Sequence, residues 1–350
     1  MAQYDAVILH WRDSVRKATD AVIDGKVVMQ GNNRMPLFWT VYGQEPADGR
    51  SLWISLHGGG GTTAEVNNGQ WRNQQFLYTP DEGVYVAPRA PWDAWDMWFQ
   101  EPIDSMYLQL IRAMASHYNV NPDKVYILGY SAGGDGIWRL APRMADHWAA
   151  ASMMAGHPGD VSLVNLHNLP FMIWMGGKDE AYNRNRLAAV RGAEMDSLQA
   201  QDREGYIHET HILADKAHWM DREDRAAVPW MAQYRRNPWP RHLVWQQESV
   251  LKQHFYWVSV PSAESEKGKR VELQVENSVI NIQHCDYSRI TLRLSPELLP
   301  LNKKIKVVYC GKTLFKGRVR PSAATFRRTL YQMQDPRMAA PAEIEIKLKV

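Results

Sequence analysis

A serine in the segment Gly129–Gly133 (GYSAG) has surroundings that suit a nucleophile. The segment follows the apolar run Lys124–Leu128 and opens a helix-like stretch, so Ser131 falls in a strand-to-helix turn. Glycines on both sides leave room for a strained turn, at which the hydroxyl stands clear of the sheet near the positive end of the next helix. We interpret Ser131 as the candidate nucleophile of an acyl transfer; the alternative is an idle serine in a glycine-rich turn.

A second glycine run, His57–Gly61 (HGGGG), ends an earlier apolar strand and could complete such a site. Attack on an acyl group creates an oxyanion, which is stabilised by two backbone N–H groups that already point at its position. We expect these donors to be the amides of Ala132 and Gly59, with Gly60 as the alternative to Gly59. A phosphate cradle is the competing interpretation of the glycine run. It is disfavoured because no Lys-Ser/Thr pair follows and no G-x-G-x-x-G pattern opens a helix there.

An acid is expected downstream of the serine, because a serine nucleophile needs a base and the base needs an orienting carboxylate. In sites built on a strand-to-helix turn the chain order is serine, acid, histidine. The apolar run Phe171–Met175 is followed by Gly-Gly-Lys and then by Asp179, at the carboxyl end of a predicted strand. Asp179 is therefore the predicted acid, with the neighbouring Glu180 as the fallback and an ordinary surface acid as the alternative.

The base is predicted to be His218, which lies in a loop just past the predicted strand Tyr206–Leu213. His208 and His211 lie inside that strand and would be held within the sheet, so we expect them to be structural. His218 is the histidine that follows both the serine and the acid at the edge where the site is expected.

The loop Ala90–Phe99 is rich in tryptophan and follows the predicted strand Gly83–Pro88. Its side chains could cap the core, but the loop falls at the carboxyl edge of the sheet, where such folds place their sites. We therefore expect it to wall the pocket for an acyl or leaving group, and the tryptophan beside the predicted base to close that pocket. The predicted substrate-contact residues are Gly60, Tyr130, Trp95, Trp98 and Trp219.

The sequence predicts neither a metal site nor a cofactor. Histidines and carboxylates are scattered, with no H-E-x-x-H pattern and no Cys/His pairing. The two cysteines, Cys285 and Cys310, cannot form a disulfide framework and lie outside any cluster of metal ligands.

Composition and charge narrow the class of protein. A chain of 350 residues with 45% hydrophobic and 23% charged residues has ordinary globular values, which excludes disordered, collagen-like and coiled-coil proteins. Residues 241–350 carry 19 Lys and Arg against 10 Asp and Glu, whereas residues 1–240 carry 22 against 28. Because the basic residues of the tail alternate with apolar ones along predicted strands, we interpret them as solvated sheet faces rather than a nucleic-acid surface.

The apolar runs of the chain are too short to cross a bilayer. The first twenty residues carry Asp5, Arg12 and Asp13 where a signal peptide needs an unbroken apolar stretch. A cytoplasmic location is therefore expected, unless the given N-terminus is truncated.

Two patterns divide the chain at about residue 240. Before it, short apolar runs alternate with helix-like segments, which indicates a parallel sheet with crossover helices. After it, period-two alternation indicates antiparallel sheets in a small sandwich. We predict a catalytic domain 1–240, with 1–25 as a helical extension, and an accessory β-sandwich domain 241–350. The predicted strands of the first domain are Ser51–His57, Gly83–Pro88, Lys124–Tyr130, Ala149–Ala155, Phe171–Gly176 and Tyr206–Leu213, after an early hairpin of Val27–Gln30 and Leu37–Tyr42, and its predicted helices are Ala6–Asp24, Asp104–Tyr118, Ala132–Met144, Asn185–Gln201 and Asp221–Arg236.

With these residues the chain resembles an α/β-hydrolase of the phospholipase/carboxylesterase and dienelactone-hydrolase-like esterase group. The resemblance covers about residues 35–240 and rests on HGGGG, APRAPWDAWDMW, GYSAGG, GGKDE and KAHWMD. Such families often carry Gly-His where this chain has Ala217-His218. The tail is similar to a β-sandwich appended to some bacterial predicted esterases and peptidases. The resemblance implies a mostly parallel α/β-hydrolase sheet flanked by helices, with Ser131 as nucleophile, His218 as base, Asp179 as acid, and the amides of Gly59 and Ala132 as the oxyanion hole.

The expected activity is hydrolysis of short- to medium-chain carboxylic esters by a serine carboxylesterase, through an acyl-enzyme. One alternative is a prolyl-oligopeptidase-like serine peptidase, which would use the same triad. Another is a polysaccharide-deacylating esterase whose basic β-domain binds the polymer, and a third is a binding protein on a relic hydrolase fold. The expected partner is a small-molecule ester substrate, with no nucleic acid and no membrane span. The sequence leaves the natural substrate and the oligomeric state open.

Overall fold

The computed structural model describes residues 4–348, in which two units are distinguished. One unit comprises Ser14–Arg236, and the other comprises the residues before Ser14 together with those from Asn237 on. The domain limits expected from the sequence, 1–240 and 241–350, stay a prediction. Within residues 4–348, no helix combines the length and the apolarity that crossing a membrane requires.

An eight-stranded sheet with helices along the chain between its strands forms the first unit. In chain order, the strands are β1 Val27–Gln30, β2 Asn33–Tyr42, β3 Arg50–Leu56, β4 Gly83–Pro88, β5 Val120–Tyr130, β6 Ala150–Met154, β7 Phe171–Gly176 and β8 His208–Leu213. The α-helices up to Arg236 are α1 Asp5–Gly25, α2 Ala64–Gln74, α3 Pro102–His117, α4 Ala132–Arg143, α5 Arg184–Gln201 and α6 Ala227–Met231.

The strand order across this sheet is β1-β2-β4-β3-β5-β6-β7-β8. The pairs β1–β2 and β2–β4 are antiparallel, and every later pair across the sheet is parallel. Every residue of β4, β6 and β7 is buried, as expected of strands that are covered on both faces. The predicted fold class, a mostly parallel α/β sheet flanked by helices, is confirmed.

The parallel register brings four strand ends to one edge of the sheet. At the carboxyl ends, Leu56 pairs with Gly129, and Gly176 pairs with Leu213. The glycine run, the serine, the acid and the histidine each follow one of these ends in the chain. Since ligands of open α/β sheets bind outside the carboxyl ends of the strands, the topology alone gathers the predicted residues at one place.

Two helices of the first unit differ from the sequence prediction. The predicted helix Asp221–Arg236 is wrong in length: Asp221 and Arg222 have positive φ, and only a 3₁₀ turn and the five-residue α6, interrupted by Pro229, follow. Helix α2 was not predicted, because its Asn- and Gln-rich sequence carries little apolar periodicity. Its start is nevertheless marked by Thr63, whose side chain accepts a hydrogen bond from Val66 N.

The elements of the second unit that follow Arg236 are β9 His242–Gln246, β10 His254–Phe255, β11 Val258–Ser259, β12 Arg270–Glu276, β13 Val279–Cys285, β14 Arg289–Leu294, β15 Ile305–Tyr309, β16 Lys312–Gly317, α7 Ala323–Met333 and β17 Ala342–Lys347. The strands form a five-stranded sheet in the order β16-β15-β13-β12-β9 and a four-stranded sheet in the order β10-β11-β14-β17. Cys310 and Gly311 form a two-residue hairpin turn, both with positive φ, as such a turn between twisted strands requires. Two features depart from an all-antiparallel tail without helices: β13 and β15 pair in parallel, and α7 precedes the last strand.

Helix α4, which begins directly after the candidate nucleophile, is anchored near its other end by a buried ion pair. Arg143 donates to Asp104 of α3 over 2.5 Å, and both side chains are almost fully buried. Removing one charge of such a pair leaves the other buried without compensation. One turn earlier, Arg139 pairs with Asp160 over 2.7 Å, but that carboxylate is 68% exposed.

We therefore expect Asp104→Asn to lower the free energy of unfolding by about 3–5 kcal/mol. The matched variant Asp160→Asn should change it by less than about 1 kcal/mol, because a surface pair is solvated and screened. Urea unfolding of both variants beside the parent checks this, and equal losses in the two would contradict a role for burial.

Candidate active site

Ser131 occupies a strained turn between β5 and α4. Its φ is 57° and its ψ is −120°, a conformation that a residue with a side chain rarely adopts. The backbone holds it from both sides, since Ser131 N donates to Met154 O over 2.9 Å and Ser131 O accepts from Asp135 N over 2.9 Å. The turn lifts the side chain out of the sheet at the N-terminus of α4.

The glycines that flank the serine allow this turn by close backbone contact. A Cβ at Gly129 would lie 2.5 Å from Gly133 O, and a Cβ at Gly133 would lie 2.2 Å from Leu56 O. Because both obstacles are backbone atoms, they cannot move aside as a flexible side chain would. The turn therefore packs directly against the end of β3, from which the glycine run begins.

The three predicted triad residues form a continuous hydrogen-bonded chain. His218 Nδ1 lies 2.6 Å from Asp179 Oδ2, and His218 Nε2 lies 2.9 Å from Ser131 Oγ. An ionised carboxylate can only accept, so Nδ1 carries the proton and donates to Asp179. The other ring nitrogen is then free to accept the hydroxyl proton of Ser131.

Asp179 is fixed by the turn after β7, while its neighbour is not. The Asp179 side chain is almost fully buried, its backbone N donates to Gly176 O over 3.0 Å, and Arg184 Nη1 lies 3.4 Å from its second carboxylate oxygen. Glu180 is exposed. The position of Asp179 within the chain of hydrogen bonds leaves no role for Glu180 as the orienting acid.

The loop that carries His218 is tied to the acid turn and to the serine turn. Lys178 N donates to Lys216 O over 2.8 Å, and a Cβ at Gly176 would lie 1.9 Å from Ala217 O, so the two turns touch backbone to backbone. The Tyr130 hydroxyl donates to His218 O over 2.6 Å and accepts from Met220 N over 3.0 Å. Burial raises the pKa of Tyr130 well above its ordinary value, so the phenol keeps the proton it donates.

The two other histidines considered from the sequence lie away from this chain of hydrogen bonds. His208 Nε2 contacts Asp196 over 3.1 Å, and His211 stacks on Trp174 at a centroid distance of 4.2 Å. Both positions are those of histidines held in a strand.

The backbone amides of Gly59 and Ala132, beside the serine, have no hydrogen-bond acceptor within residues 4–348. Ala132 opens α4, where the first N–H groups lack intrahelical partners. Gly60 N, the alternative considered from the sequence, donates instead to Asn67 Oδ1 over 3.0 Å, while Asn67 Nδ2 donates to Gly60 O over 3.0 Å. The geometry therefore favours Gly59 over Gly60 as the second donor.

His57, the first residue of the glycine run, is fully buried and holds this run by hydrogen bonds. Its Nδ1 lies 2.6 Å from Gly58 O, and its Nε2 accepts from Ala90 N over 3.1 Å, so the neutral ring with its proton on Nδ1 satisfies both contacts. Burial lowers the pKa of His57 to about 3. The side chain thus acts as a fixed neutral bridge between the glycine run and the loop after β4.

A cavity of about 680 Å³ opens at Ser131 and His218. Tyr130 and Trp219 line it, and the centroids of their rings lie 5.6 Å apart. The sequence did not predict the contribution from the end of α2 and the loop after it, nor that of one residue beyond the His218 loop. These lining residues are Gln70, Arg72, Asn73, Gln74, Phe76, Leu77 and Arg222.

The two tryptophans of the loop after β4 have different positions. Trp98 is fully buried, donates its indole N–H to His57 O over 2.8 Å and contacts the His57 ring edge to face. This position corrects the expectation that Trp98 walls the pocket: it supports His57 instead. Trp95 is 68% exposed and lies over Gly60 and Gly61, beside the cavity rather than in its lining.

No protein-family model matches the chain, and a search of curated proteins finds no match. Among solved structures, a thermostable esterase is similar over 60% of this chain and 62% of its own, at 19% identity and a TM-score of 0.48. A ferulic acid esterase is similar over 59% of this chain and 95% of its own, at 15% identity and a TM-score of 0.40. An acetyl xylan esterase from Aspergillus awamori is similar over 56% of this chain and 93% of its own, at 11% identity and a TM-score of 0.40. The matched region thus spans less than two thirds of the thermostable esterase.

His57 should make stability depend on pH. Its pKa is about 3 in the folded protein, against 6.5 ordinarily, so the unfolded chain takes up a proton first as the pH falls. The stability linked to this residue is complete above about pH 6.5 and is lost between there and pH 3. From pH 7 to pH 5 the loss is about 2 kcal/mol.

We expect His57→Asn, whose side chain does not titrate, to lose about 2 kcal/mol less stability than the parent between these two pH values. Urea unfolding of both proteins at pH 7 and pH 5 measures this difference. The same pH dependence in parent and variant would show that His57 is not held neutral by burial.

Proposed function

We propose that the chain is a serine hydrolase that cleaves carboxylic esters through an acyl-enzyme. The observation that carries this proposal is the chain of hydrogen bonds from Ser131 through His218 to Asp179, at 2.9 Å and 2.6 Å. A serine hydroxyl becomes nucleophilic when a base accepts its proton and a third group orients the base. The strained turn and the two open amides beside it support the same chemistry.

The reaction follows from these positions. Ser131 Oγ attacks the carbonyl carbon of the ester while its proton passes to His218 Nε2, and the π electron pair moves onto the carbonyl oxygen. The amides of Gly59 and Ala132 donate to that oxyanion, and a comparable donor is typically worth about 3–4 kcal/mol of barrier. Collapse of the intermediate breaks the bond to the alcohol, which takes the proton from His218.

The second half repeats these roles with water. His218 Nε2 accepts a proton from a water molecule as its oxygen attacks the acyl-enzyme, and returning that proton to Ser131 Oγ releases the carboxylic acid. Asp179 remains ionised throughout and stabilises the imidazolium that forms at each step. No atom or electron has to come from a cofactor in these two reaction steps.

The cavity supports short- to medium-chain acyl groups as substrates. Phe76, Leu77 and Trp219 provide apolar wall, and the volume of about 680 Å³ falls within the range of sites that hold small molecules. Peptide cleavage by the same triad is the competing activity, so the assays below include a peptide substrate.

Ser131→Ala should retain the fold and lose ester hydrolysis by on the order of 10⁴-fold or more, because the nucleophile is removed. Hydrolysis of p-nitrophenyl acetate, butyrate and octanoate, beside a peptide p-nitroanilide, measures this. Ser197→Ala on the outer face of α5 is the matched control and should behave as the parent. Unchanged turnover in Ser131→Ala would refute the assignment, and faster cleavage of the anilide than of the esters would move the chain to the peptidases.

Asp179→Asn should lower kcat for the same esters by about 10⁴-fold, since the amide stabilises the wrong tautomer of His218. The adjacent Glu180→Gln is the control and should stay within about twofold, because that side chain is exposed and outside the hydrogen-bonded chain. Steady-state kinetics of both variants decide between the two acids. A larger loss in Glu180→Gln than in Asp179→Asn would reverse the assignment.

A further inference from the structure

Two arginines line the cavity at the nucleophile, and no acidic side chain lines it. Arg72 lies in the last turn of α2, and Arg222 lies four residues after His218. Both are exposed, and within residues 4–348 neither side chain has an ion pair or a hydrogen bond. The cavity therefore presents, close to the reacting serine, two guanidinium side chains that form no ion pair within the described residues.

The chain around Arg222 is rich in acids, yet each of them is engaged elsewhere. Lys216 Nζ contacts Asp221 Oδ2 over 3.0 Å and Glu223 Oε1 over 2.9 Å. Asp224 is buried and accepts a hydrogen bond from the Tyr78 hydroxyl. Asp221 and Glu223 thus pair with Lys216, while Asp224 interacts with the charge of Arg222 at longer range without forming an ion pair with it. Arg222 lines the cavity and also the neighbouring pocket, which Glu223 lines as well.

The backbone is strained at Arg222 and at the residue before it. Asp221 and Arg222 have φ values of 54° and 64°, two consecutive left-handed residues that both carry side chains. Each such residue costs free energy and persists only where its surroundings hold it. Backbone hydrogen bonds from Glu223 N to Met220 O and from Arg225 N to Arg222 O hold the turn, and Lys216 pairs with the exposed acids on either side of Arg222.

We propose that Arg72 and Arg222 bind an anionic oxygen group, a carboxylate or a phosphate, on the ester substrate at a position remote from the bond that is cleaved. Guanidinium groups match such oxyanions geometrically and form charge-assisted hydrogen bonds with them. This inference rests on the proposed ester hydrolysis and adds the class of substrate: a negatively charged ester rather than a neutral one.

Two pairs of substrates of matched size test the inference and locate the anion. On the acyl side, mono-p-nitrophenyl adipate is compared with p-nitrophenyl hexanoate. On the alcohol side, 4-acetoxybenzoate is compared with 4-acetoxybenzamide. The readout is the ratio of kcat/KM between the anionic and the neutral member, which cancels any change common to both, with spontaneous hydrolysis subtracted.

We expect the parent to prefer the anionic member of at least one pair by about tenfold at low ionic strength, and this preference to shrink in 0.5 M salt. Arg72→Gln and Arg222→Gln should each lower the ratio several-fold, and the double variant should bring it to about one. Arg186→Gln, an exposed arginine of α5 outside the cavity, should leave the ratio unchanged. A parent ratio of one or less in both pairs, or an unchanged ratio in the double variant, overturns the inference.

The failure of this inference and the failure of the proposed function give different results. Hydrolysis of the neutral esters that depends on Ser131, without any preference for the anionic ones, would leave the esterase and remove the arginine site. If the folded parent hydrolysed no ester, the proposed function would be refuted. Isothermal titration with adipate would then test anion binding by the two arginines independently of hydrolysis. Equal affinity of the parent and the double variant, or no binding to either, would then overturn it.

Discussion

Close contact between backbones, without intervening side chains, is the constraint on which the site depends. At the serine turn, a Cβ on Gly133 would lie 2.2 Å from Leu56 O, and at the acid turn a Cβ on Gly176 would lie 1.9 Å from Ala217 O. The first contact sets the distance between Ser131 and the glycine run that begins after β3. The second sets the distance between Asp179 and the loop that carries His218. Because these atoms belong to strand ends and tight turns, the distances among these residues are fixed by the packing of the sheet edge.

A layer of buried polar groups then fixes the loops that the sheet edge carries. His57 bridges Gly58 O and Ala90 N as a neutral ring, and Trp98 donates to His57 O from within the core. Tyr130 holds the His218 loop by two backbone hydrogen bonds. In a low-dielectric interior such satisfied networks are strong and specify one geometry, so the groups that meet the substrate are preorganised before it binds. The arginines of the cavity are the exception, since their charges remain open to solvent.

Much of this arrangement could be predicted from local patterns. The strand rhythm predicted all six strands that follow the early hairpin, and five of them, β3 to β7, are mostly apolar and buried, as expected of strands covered on both faces. Helix α2 was not predicted because its sequence is polar and only a few of its residues are buried. For the same reason, Arg72 and the apolar side chains after the helix were not predicted to line the cavity. Trp98 was expected in the pocket because a loop sequence does not reveal whether a tryptophan turns outward or into the core. The predicted helix Asp221–Arg236 missed a turn of two left-handed residues, which hydrogen bonds from Glu223 N to Met220 O and from Arg225 N to Arg222 O hold.

The sequence by itself determined the fold class and predicted the residues of the proposed triad, since strand rhythm, glycine spacing and chain order can be read from the order of the residues alone. Only the tertiary structure decided whether the amide of Gly59 or that of Gly60 is open, which of two adjacent acids contacts His218, and which charged side chains line the cavity. Each of those outcomes depends on a contact that forms only in the folded chain: Asn67 occupies Gly60 N, the Ala217 backbone meets Gly176, and Lys216 pairs with Asp221 and Glu223 beside Arg222. Hydrogen bonds and ion pairs act over a few ångströms in space, and the chain brings such partners together only when the sheet has formed.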